Sequence, residues 1–356
     1  MLTGRAFRTP LAGMLVVAFA LSCAHRPPDV REVVPRDLQA PQSGRLAVIW
    51  QIPDDEDELH AELFVYDAKG AEPIPMAGAS EVRWTGPDSL LLALDAISED
   101  PSAWGASEIV SLELAPRALR RLLPARRWFN LEPSPDRRWL AIGEQLDDRG
   151  ESEIQVRFLG RDLPVVARRR FAGDEPRWSP DGRELVVART LQDPDAPTNE
   201  TSASLGGVGL AWPRLFRLRR DLVGPRSPIA DGAPGEPLVA GGTLPLWWDS
   251  RGIWARQRRG LVRCEPARDA REVGCHAIYD PGPGRRVLDG RPLGRSEALL
   301  LVLDTASDER LASEIHTVDL ERGLGLAIVR APQGVYVSDL DWTPAETSGP
   351  SGGPGT

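Results

Sequence analysis

The stretch that decides the fold is PRWSPDGRELVVA, residues 176–188. A strand that ends at Trp178 runs into Ser-Pro-Asp-Gly, and an apolar strand follows. Pro180 fixes its own φ, the side chain of Asp181 can hydrogen-bond to its own backbone, and Gly182 tolerates a positive φ. The stretch therefore predicts two strands joined by a tight turn.

The same pattern recurs along the chain. Variants begin at residues 82, 129, 245, 291 and 338, where the sequence reads VRWTGPDSLLLAL, FNLEPSPDRRWLAIG, PLWWDSRGIWAR, RPLGRSEALLLVL and SDLDWTP. The positions that align are Trp84, Pro133, Trp178, Trp247, Pro292 and Trp342. All but one of the intervals between them are 45 to 50 residues, and the longer one contains the Thr/Ser/Gly/Pro stretch 190–211 as an insertion.

Each unit offers three or four strands within about 45 residues, which is the content of one propeller blade. The first unit lacks the Trp-ended opening strand, and the last unit consists of that strand alone. Joining the two ends completes a sixth blade and leaves no open sheet edge between the first and last units. The sequence predicts an all-β, six-bladed β-propeller over residues 44–344, in a ring closed by N- and C-terminal strands that share one blade.

These units resemble the WD40-like (PD40) W-S-P-D-G repeats of TolB-type propellers. Residues 178–182 match the repeat in full, residues 133–136 match it well, and the fifth and sixth units are degenerate. TolB carries a separate α/β domain before its propeller, where this sequence shows only a short segment. The resemblance therefore implies a TolB-like propeller that is not TolB itself, and it implies no particular partner. Peptidases with similar propellers add a hydrolase domain, for which the sequence given has no room.

The N-terminus has the three parts of an export signal. Arg5 and Arg8 precede an apolar run from Leu11 to Leu21, and Cys23 follows small residues. The run is too short to span a bilayer as a helix. The end of the segment resembles a bacterial lipobox, although Ala20 stands where that family prefers Leu. We therefore expect a lipoprotein signal peptide at 1–22 and lipidation at Cys23. Ordinary cleavage after Ala20 is the alternative.

The segments that flank the propeller have low-complexity or proline-rich sequences. Residues 23–43 combine prolines with many charges, which predicts a flexible tether, and residues 345–356 predict a disordered tail. Ala24 after the lipidated cysteine is compatible with sorting to the outer membrane. We therefore expect a lipid-anchored protein of the bacterial cell envelope that faces the periplasm, on the outer rather than the inner membrane.

The charge balance excludes several function classes. The net charge is −9 and Lys69 is the only lysine. Nucleic-acid binding needs surplus Lys and Arg for phosphate contacts, so no nucleic-acid partner is expected. Lys69 has no glycine-rich phosphate loop around it, and none of the histidines has a recognisable nucleophile beside it in the sequence. The G-x-S-x-G pattern around Ser351 lies in a glycine-rich tail and lacks the strand and helix that a nucleophile elbow requires. No catalytic residue is predicted.

Two cysteines lie within the predicted propeller. Cys264 and Cys275 fall on neighbouring strands of the fifth unit, and an exported protein folds in an oxidising compartment, so a disulfide is predicted between them. Two buried thiols are the alternative. A zinc site is not expected, because Cys275 and His276 are adjacent and point to opposite faces of a strand.

The loops between the second and third strands of the units are acidic. They read PDDEDE, DAISED, EQLDDRGESE, LQDPDAPTNE and DTASDE, and only RQRRG of the fifth unit is basic. If all six loops lie on one face, their acidity forms a rim that attracts a basic partner or divalent cations. The candidate residues of this acidic rim are Asp54, Asp55, Asp57, Asp147, Asp148, Asp193, Asp195, Asp308 and Glu309. The alternative is that these loops are solvated parts of an acidic chain.

The sequence therefore favours a non-enzymatic envelope lipoprotein that presents a propeller face to a protein partner and is tied to the membrane by its lipid. The alternative is a propeller hydrolase, of the lactonase or phosphoesterase kind, with a divalent metal such as Ca²⁺ in its central channel. That alternative predicts carboxylates that converge on the channel. A purely structural envelope component is a third reading. If the protein is a non-enzymatic binding lipoprotein, no cofactor is expected.

Overall fold

A computed structural model describes residues 44–53, 59–96, 105–146, 152–159, 165–170, 174–190, 213–219, 236–239, 243–265, 274–305, 312–332 and 334–344. Within these ranges all regular secondary structure is β-strand, and 24 strands form six four-stranded sheets. Every strand pairs antiparallel with its neighbour. The structure confirms the predicted all-β propeller fold.

The sheets are numbered here along the chain, and their strands are given from the innermost outward. Sheet 1 consists of β24 (Tyr336–Pro344), β1 (Gly44–Pro53), β2 (Leu59–Asp67) and β3 (Gly70–Ala77). Sheet 2 consists of β4 (Ala79–Trp84), β5 (Ser89–Asp95), β6 (Ser107–Glu113) and β7 (Ala118–Arg126). Sheet 3 consists of β8 (Trp128–Pro133), β9 (Trp139–Gln145), β10 (Ser152–Phe158) and β11 (Val165–Arg170).

The other three sheets repeat this order. Sheet 4 consists of β12 (Asp174–Trp178), β13 (Glu184–Thr190), β14 (Pro213–Arg219) and β15 (Glu236–Val239). Sheet 5 consists of β16 (Thr243–Asp249), β17 (Gly252–Gln257), β18 (Gly260–Cys264) and β19 (Cys275–Tyr279). Sheet 6 consists of β20 (Arg285–Pro292), β21 (Glu297–Asp304), β22 (Ala312–Asp319) and β23 (Leu324–Arg330). Among the described residues, no helix has the length and apolarity that a membrane span requires.

The two ends of the described chain meet in sheet 1. β1 pairs with β24 from Gly44 opposite Pro344 to Gln51 opposite Tyr336, with one irregularity after Ile49. β24, the last of the described strands, is therefore the innermost strand of the sheet that contains β1.

The apolar core is divided into clusters that lie between neighbouring sheets. Leu46, Val48 and Trp50 of β1 pack against sheet 6, whereas Ala47 and Ile49 of the same strand pack against sheet 2. This alternation is the period of two that a strand imposes on its side chains. Corresponding clusters join sheets 2 and 3, 3 and 4, 4 and 5, and 5 and 6. Each sheet therefore buries both of its faces.

The repeated tryptophans belong to this core. Trp84, Trp178 and Trp247 are buried in the clusters between sheets, and Trp342 is partly buried against the cluster of sheets 6 and 1. Their shared place in the repeat reflects packing between sheets.

The Ser-Pro-Asp turn has the same hydrogen bonds in sheets 3 and 4. In sheet 4, Ser179 Oγ donates to Asp181 Oδ1 at 2.6 Å, and the same carboxylate oxygen accepts from the N–H of Arg183 at 3.0 Å. Ser134 and Asp136 repeat the first of these bonds at 2.5 Å. In the turn of sheet 4, Gly182 follows Asp181 and has a φ of +65°. These bonds fix the connection between the first two strands of sheets 3 and 4.

Replacing Asp181 with Ala tests the turn. The substitution removes two hydrogen bonds of the turn, so the free energy of unfolding should fall by about 1 kcal/mol. Asp181→Asn keeps the Oδ1 acceptor and should cost clearly less. Urea unfolding followed by tryptophan fluorescence measures both, and an equal loss for the two variants would show that charge, not the hydrogen bonds, stabilises the turn.

Candidate functional site

Charged side chains on five of the innermost strands contact one another or the backbone of a neighbouring sheet. We call the following set the channel network: Glu81, Arg83, Glu132, Arg177, Asp289, Arg291, Asp339 and Asp341. They lie on β4, β8, β12, β20 and β24, which surround the centre of the propeller. All are at most partly exposed, and the three arginines are buried.

Carboxylates of one sheet accept hydrogen bonds from the backbone of the next. Asp339 Oδ2 accepts from the N–H of Val82 at 2.8 Å, and Asp341 Oδ2 accepts from the N–H of Trp84 at 2.7 Å. An innermost strand has a sheet partner on one side only, so N–H groups on its free edge need another acceptor. The aspartates of β24 provide it for β4.

The same bonding joins sheet 2 to sheet 3. Glu81 on β4 accepts from the N–H of Asn130 at 2.6 Å through Oε1 and from the N–H of Leu131 at 2.7 Å through Oε2. Both oxygens of this carboxylate are therefore engaged by the backbone of β8.

The arginines also bind backbone groups of the inner strands. In all three, Nη1 donates to the carbonyl oxygen of the preceding residue, at 2.6 Å for Arg83, 3.1 Å for Arg177 and 2.9 Å for Arg291. Arg177 Nε also donates to the carbonyl oxygen of Leu246 in sheet 5 at 2.6 Å. These bonds satisfy carbonyl groups along the inner edge.

Ion pairs connect the arginines across the sheets. Arg83 donates to Asp339 at 2.5 Å, which joins sheets 1 and 2. Arg291 Nε lies 3.1 Å from Asp341, which joins sheets 6 and 1. Arg177 of sheet 4 lies 3.8 Å from Glu132 of sheet 3 and 3.5 Å from Asp289 of sheet 6. Carboxylates and guanidinium groups of five sheets therefore form one network.

Burial and charge set the protonation of the network. Burial raises the pKa of Asp339 to about 6, although the nearby Arg83 guanidinium opposes the rise. Burial also raises the pKa of Glu132, against the attraction of Arg177. Burial raises the pKa of Asp289 as well. The guanidinium groups of Arg291 and Arg177 outweigh this effect, so the pKa lies below its ordinary value. The charge of Asp339 therefore changes within the pH range in which the protein can be studied folded.

This arrangement does not resemble a metal site. The carboxylates are engaged by guanidinium and backbone N–H groups, and no group of three or more His, Cys, Asp or Glu residues in the described ranges is placed to hold a metal ion. The carboxylates of the channel network connect neighbouring sheets through hydrogen bonds.

A second polar cluster joins the outer parts of sheets 5 and 6. The Tyr279 hydroxyl lies 2.6 Å from His316 Nδ1, and His316 Nε2 lies 2.6 Å from Glu314, which also pairs with Arg285 and Arg330. Sequence analysis found no nucleophile beside His316, because Tyr279 is 37 residues away and on another sheet. Burial, followed by the charge of Glu314, raises the pKa of Tyr279. Tyr279, His316 and Glu314 thus form a hydrogen-bonded chain that links sheets 5 and 6.

The structure describes only some of the site residues that the sequence predicts. Cys264 and Cys275 face each other on β18 and β19 and form the predicted disulfide. Cys23 and all nine residues of the acidic rim lie outside the described residues. The strands that flank the six loops are the second and third of their sheets, as the sequence analysis requires.

The channel network was missed at the sequence level, although a signal for it exists. The residue just before each aligned Trp or Pro is, in order, Arg83, Glu132, Arg177, Leu246, Arg291 and Asp341. Five of these six positions carry a charge, at a place in the repeat that sheet packing would otherwise favour as apolar.

Comparisons with known proteins show the fold alone. No protein-family model matches this sequence, and no curated protein sequence matches it. Among solved structures, a putative TolB from Agrobacterium tumefaciens has 14% identity and a TM-score of 0.52, over 85% of this chain and 99% of that one. The β-propeller domain of the Trilobed protease from Pyrococcus furiosus has 11% identity and a TM-score of 0.51, over 81% of each chain.

A third similar structure is a longer chain, of which this protein matches about half. An acylaminoacyl peptidase has 11% identity and a TM-score of 0.50, over 82% of this chain and 51% of that one. The similar structures thus include TolB proteins and proteases. The propeller domain of the Trilobed protease is described as having an open velcro topology, whereas here β1 pairs with β24.

The network predicts a pH-dependent stability. The folded pKa of Asp339, about 6, exceeds its ordinary value of 3.8, so the folded state binds this proton more tightly than the unfolded state. The contribution is fully present below about pH 4 and is lost as pH rises through 6, with a size on the order of 3 kcal/mol. Asp339→Asn should remove this dependence. Urea unfolding between pH 4.5 and 7 measures it.

The control for that experiment is Asp181→Asn. Hydrogen bonds from Ser179 and the N–H of Arg183 lower the pKa of Asp181, so it stays ionised throughout this window. Its substitution should leave the pH profile unchanged. A wild-type profile that parallels that of Asp339→Asn would contradict the assignment.

Removing one guanidinium should be costly. Arg83→Met leaves Asp339 buried without its ion-pair partner, and we expect a loss of about 3–5 kcal/mol in the free energy of unfolding. In combination with Asp339→Asn, the total loss should be smaller than the sum of the two single losses by about 0.5–3 kcal/mol. Additive losses would show that the two residues do not interact.

Proposed function

We propose that this protein is a non-enzymatic binding lipoprotein of the bacterial cell envelope. In this proposal the six sheets are the blades of one closed ring, and the ring presents one face to a protein partner. Core clusters between every pair of successive sheets, including sheets 6 and 1, support the closed ring. The export signal, the lipobox ending in Cys23 and the likeness to TolB structures support the location.

The observation that carries the binding function is the state of the channel carboxylates. Asp339, Asp341 and Glu81 all accept backbone N–H groups of the neighbouring sheet. Groups used in this way hold the ring together and are poor candidates for binding and activating a substrate. The parts that remain for function are the loops, because binding residues are often found on loops that a rigid scaffold holds in place.

The acidic rim is the proposed binding face. Consecutive strands of a sheet run antiparallel, so every loop from a second to a third strand leaves from the same end of its sheet. Five of the six loops are acidic in sequence. An acidic surface of this kind favours association with a basic partner surface and sets its orientation. The proposed partner is an envelope protein with such a surface.

One specific observation favours a second candidate function. Carboxylates do converge on the centre of the propeller, as the hydrolase alternative requires, with Ca²⁺ or another divalent metal as cofactor. Three buried guanidinium groups among them disfavour a cation, because each arginine adds a positive charge where the metal would bind. The binding function therefore remains the better supported of the two.

A crosslinking pull-down from membranes tests the binding face. The test variant replaces Asp54, Asp55, Asp57, Asp147 and Asp148 with Asn. The control variant neutralises the same number of acidic residues at the opposite ends of the strands, namely Asp67, Glu72, Asp88, Glu113 and Glu321. We expect the wild type and the control to capture the same protein and the test variant to lose it at least tenfold.

Two results would contradict the proposal. Equal capture by both variants would place binding away from the rim. Capture of nothing by the wild type, together with a calcium-dependent rise in its melting temperature, would favour the hydrolase alternative.

A further inference from the structure

The six connections between second and third strands differ in charge and in length. Five of them are acidic in sequence and span residues 54–58, 96–106, 146–151, 191–212 and 305–311. The connection in sheet 5 consists of Arg258 and Arg259 alone, and we call this pair the basic turn. Because it lies at the same end of its sheet as the acidic loops, the basic turn interrupts their negative charge.

Contacts with neighbouring backbone hold the basic turn in place. Gln257 pairs with Gly260 across it, and the carbonyl oxygen of Arg259 accepts from the N–H of Val287 in sheet 6 at 2.9 Å. A Cβ at Gly260 would lie 2.5 Å from the carbonyl oxygen of Tyr279, so the end of the turn packs closely against β19. A surface that is already ordered in this way loses little conformational entropy when a partner binds.

The arginines at this place differ in their partners. Arg259 donates to Asp280 Oδ2 from Nη2 at 2.6 Å and from Nε at 3.1 Å. Arg258 is exposed, and none of the described carboxylates pairs with it. The same is true of Arg286, which is exposed and directly precedes the residue that binds the basic turn. Within the described part of the chain, these two positive charges are therefore left for a carboxylate from outside.

One basic position can orient a partner on an otherwise acidic face. Six similar acidic loops would attract a basic surface almost equally well in several rotations about the centre of the propeller. A single position of opposite charge removes this ambiguity, because like charges that face each other across an interface are disfavoured. A uniformly basic partner would be repelled by Arg258, so the best partner surface is acidic at that one place.

The length of the basic turn adds a requirement on shape. A two-residue connection extends only slightly beyond the last strand pair, whereas connections of five or more residues have enough chain to extend further. A partner that contacts the longer loops therefore reaches Arg258 only with a part of its surface that protrudes.

We propose that the basic turn is the orienting contact of the binding face, and that it receives an acidic protrusion of the same protein partner whose basic surface contacts the acidic loops. Hydrogen bonds from the Arg258 guanidinium to carboxylates of the partner provide the contact. This role rests on the proposed binding function, because without a partner on the acidic rim there is nothing to orient.

The scarcity of lysine permits a direct test by carbodiimide crosslinking in membranes. This reagent joins an amine to a carboxylate without a spacer, and arginine does not react with it. Arg258→Lys keeps the charge and introduces one amine into the basic turn. The matched control, Arg295→Lys, introduces one amine between β20 and β21 at the opposite end of the sheets, where Arg295 is also exposed. Lys69, the only lysine of the chain, lies between β2 and β3 at that same opposite end.

Mass spectrometry of the crosslinked peptides identifies the joined residues. We expect the new amine of Arg258→Lys to be joined to an Asp or Glu of a protein whose own lysines are joined to the acidic rim. Neither Lys69 nor the new amine of Arg295→Lys should be joined to that protein. Bonds at the acidic rim without a bond at position 258 overturn the basic turn as a contact and leave the proposed function intact. The absence of bonds at both places overturns both.

Charge reversal provides a second measurement. Arg258→Glu should lower the capture of the same protein by about tenfold, because it places like charges opposite each other. Arg258→Lys and Arg295→Glu should capture it as the wild type does. Arg258 has a φ of +54°, which is equally unfavourable for Arg, Lys and Glu, so these substitutions do not change the backbone preference of the turn. Capture by Arg258→Glu that equals capture by the wild type overturns the proposal.

Discussion

The innermost strands impose the constraint on which the rest of this propeller depends. Each of them pairs on one side only, and its other edge faces the centre of the molecule, where polar backbone groups must still find partners. The chain meets this need with side chains from neighbouring sheets. Asp339 and Asp341 bind the N–H groups of Val82 and Trp84, and Arg177 binds the carbonyl of Leu246. These bonds fix the height and rotation of one sheet relative to the next.

A buried support of this kind requires charges of both signs. Carboxylates alone would satisfy N–H groups but would repel one another, and guanidinium groups alone would satisfy only carbonyls. The innermost strands carry both arginines and acids, and each ion pair offsets part of the desolvation of its members. The indole N–H groups add to it, because Trp84 and Trp178 donate to the carbonyls of Asp341 and Glu132 at 3.1 and 2.8 Å. The same residues therefore pack the core and satisfy the inner edge.

The fold was largely predictable from the sequence, and the channel network was not. The repeat indicated the strands and the Ser-Pro-Asp turns, because each depends on residues close together in the sequence. The disulfide was predictable because Cys264 and Cys275 belong to adjacent strands. The pairing of Arg83 with Asp339 spans 256 residues, and no local pattern reveals which charge meets which. The contact of Tyr279 with His316 was missed for the same reason.

The residues that hold the sheets together can change less freely than those in the loops, and this difference indicates where function can evolve. A charge in the channel network is bound to partners on neighbouring sheets, so changing it affects more than one sheet. The loops between second and third strands connect strands that are already held by their sheets, so the fold constrains the sequences of these loops less. Outer edges are intermediate, since each must be protected but can be protected in many ways. New function is therefore best sought in the loops between second and third strands, whose sequences the sheets themselves do not specify.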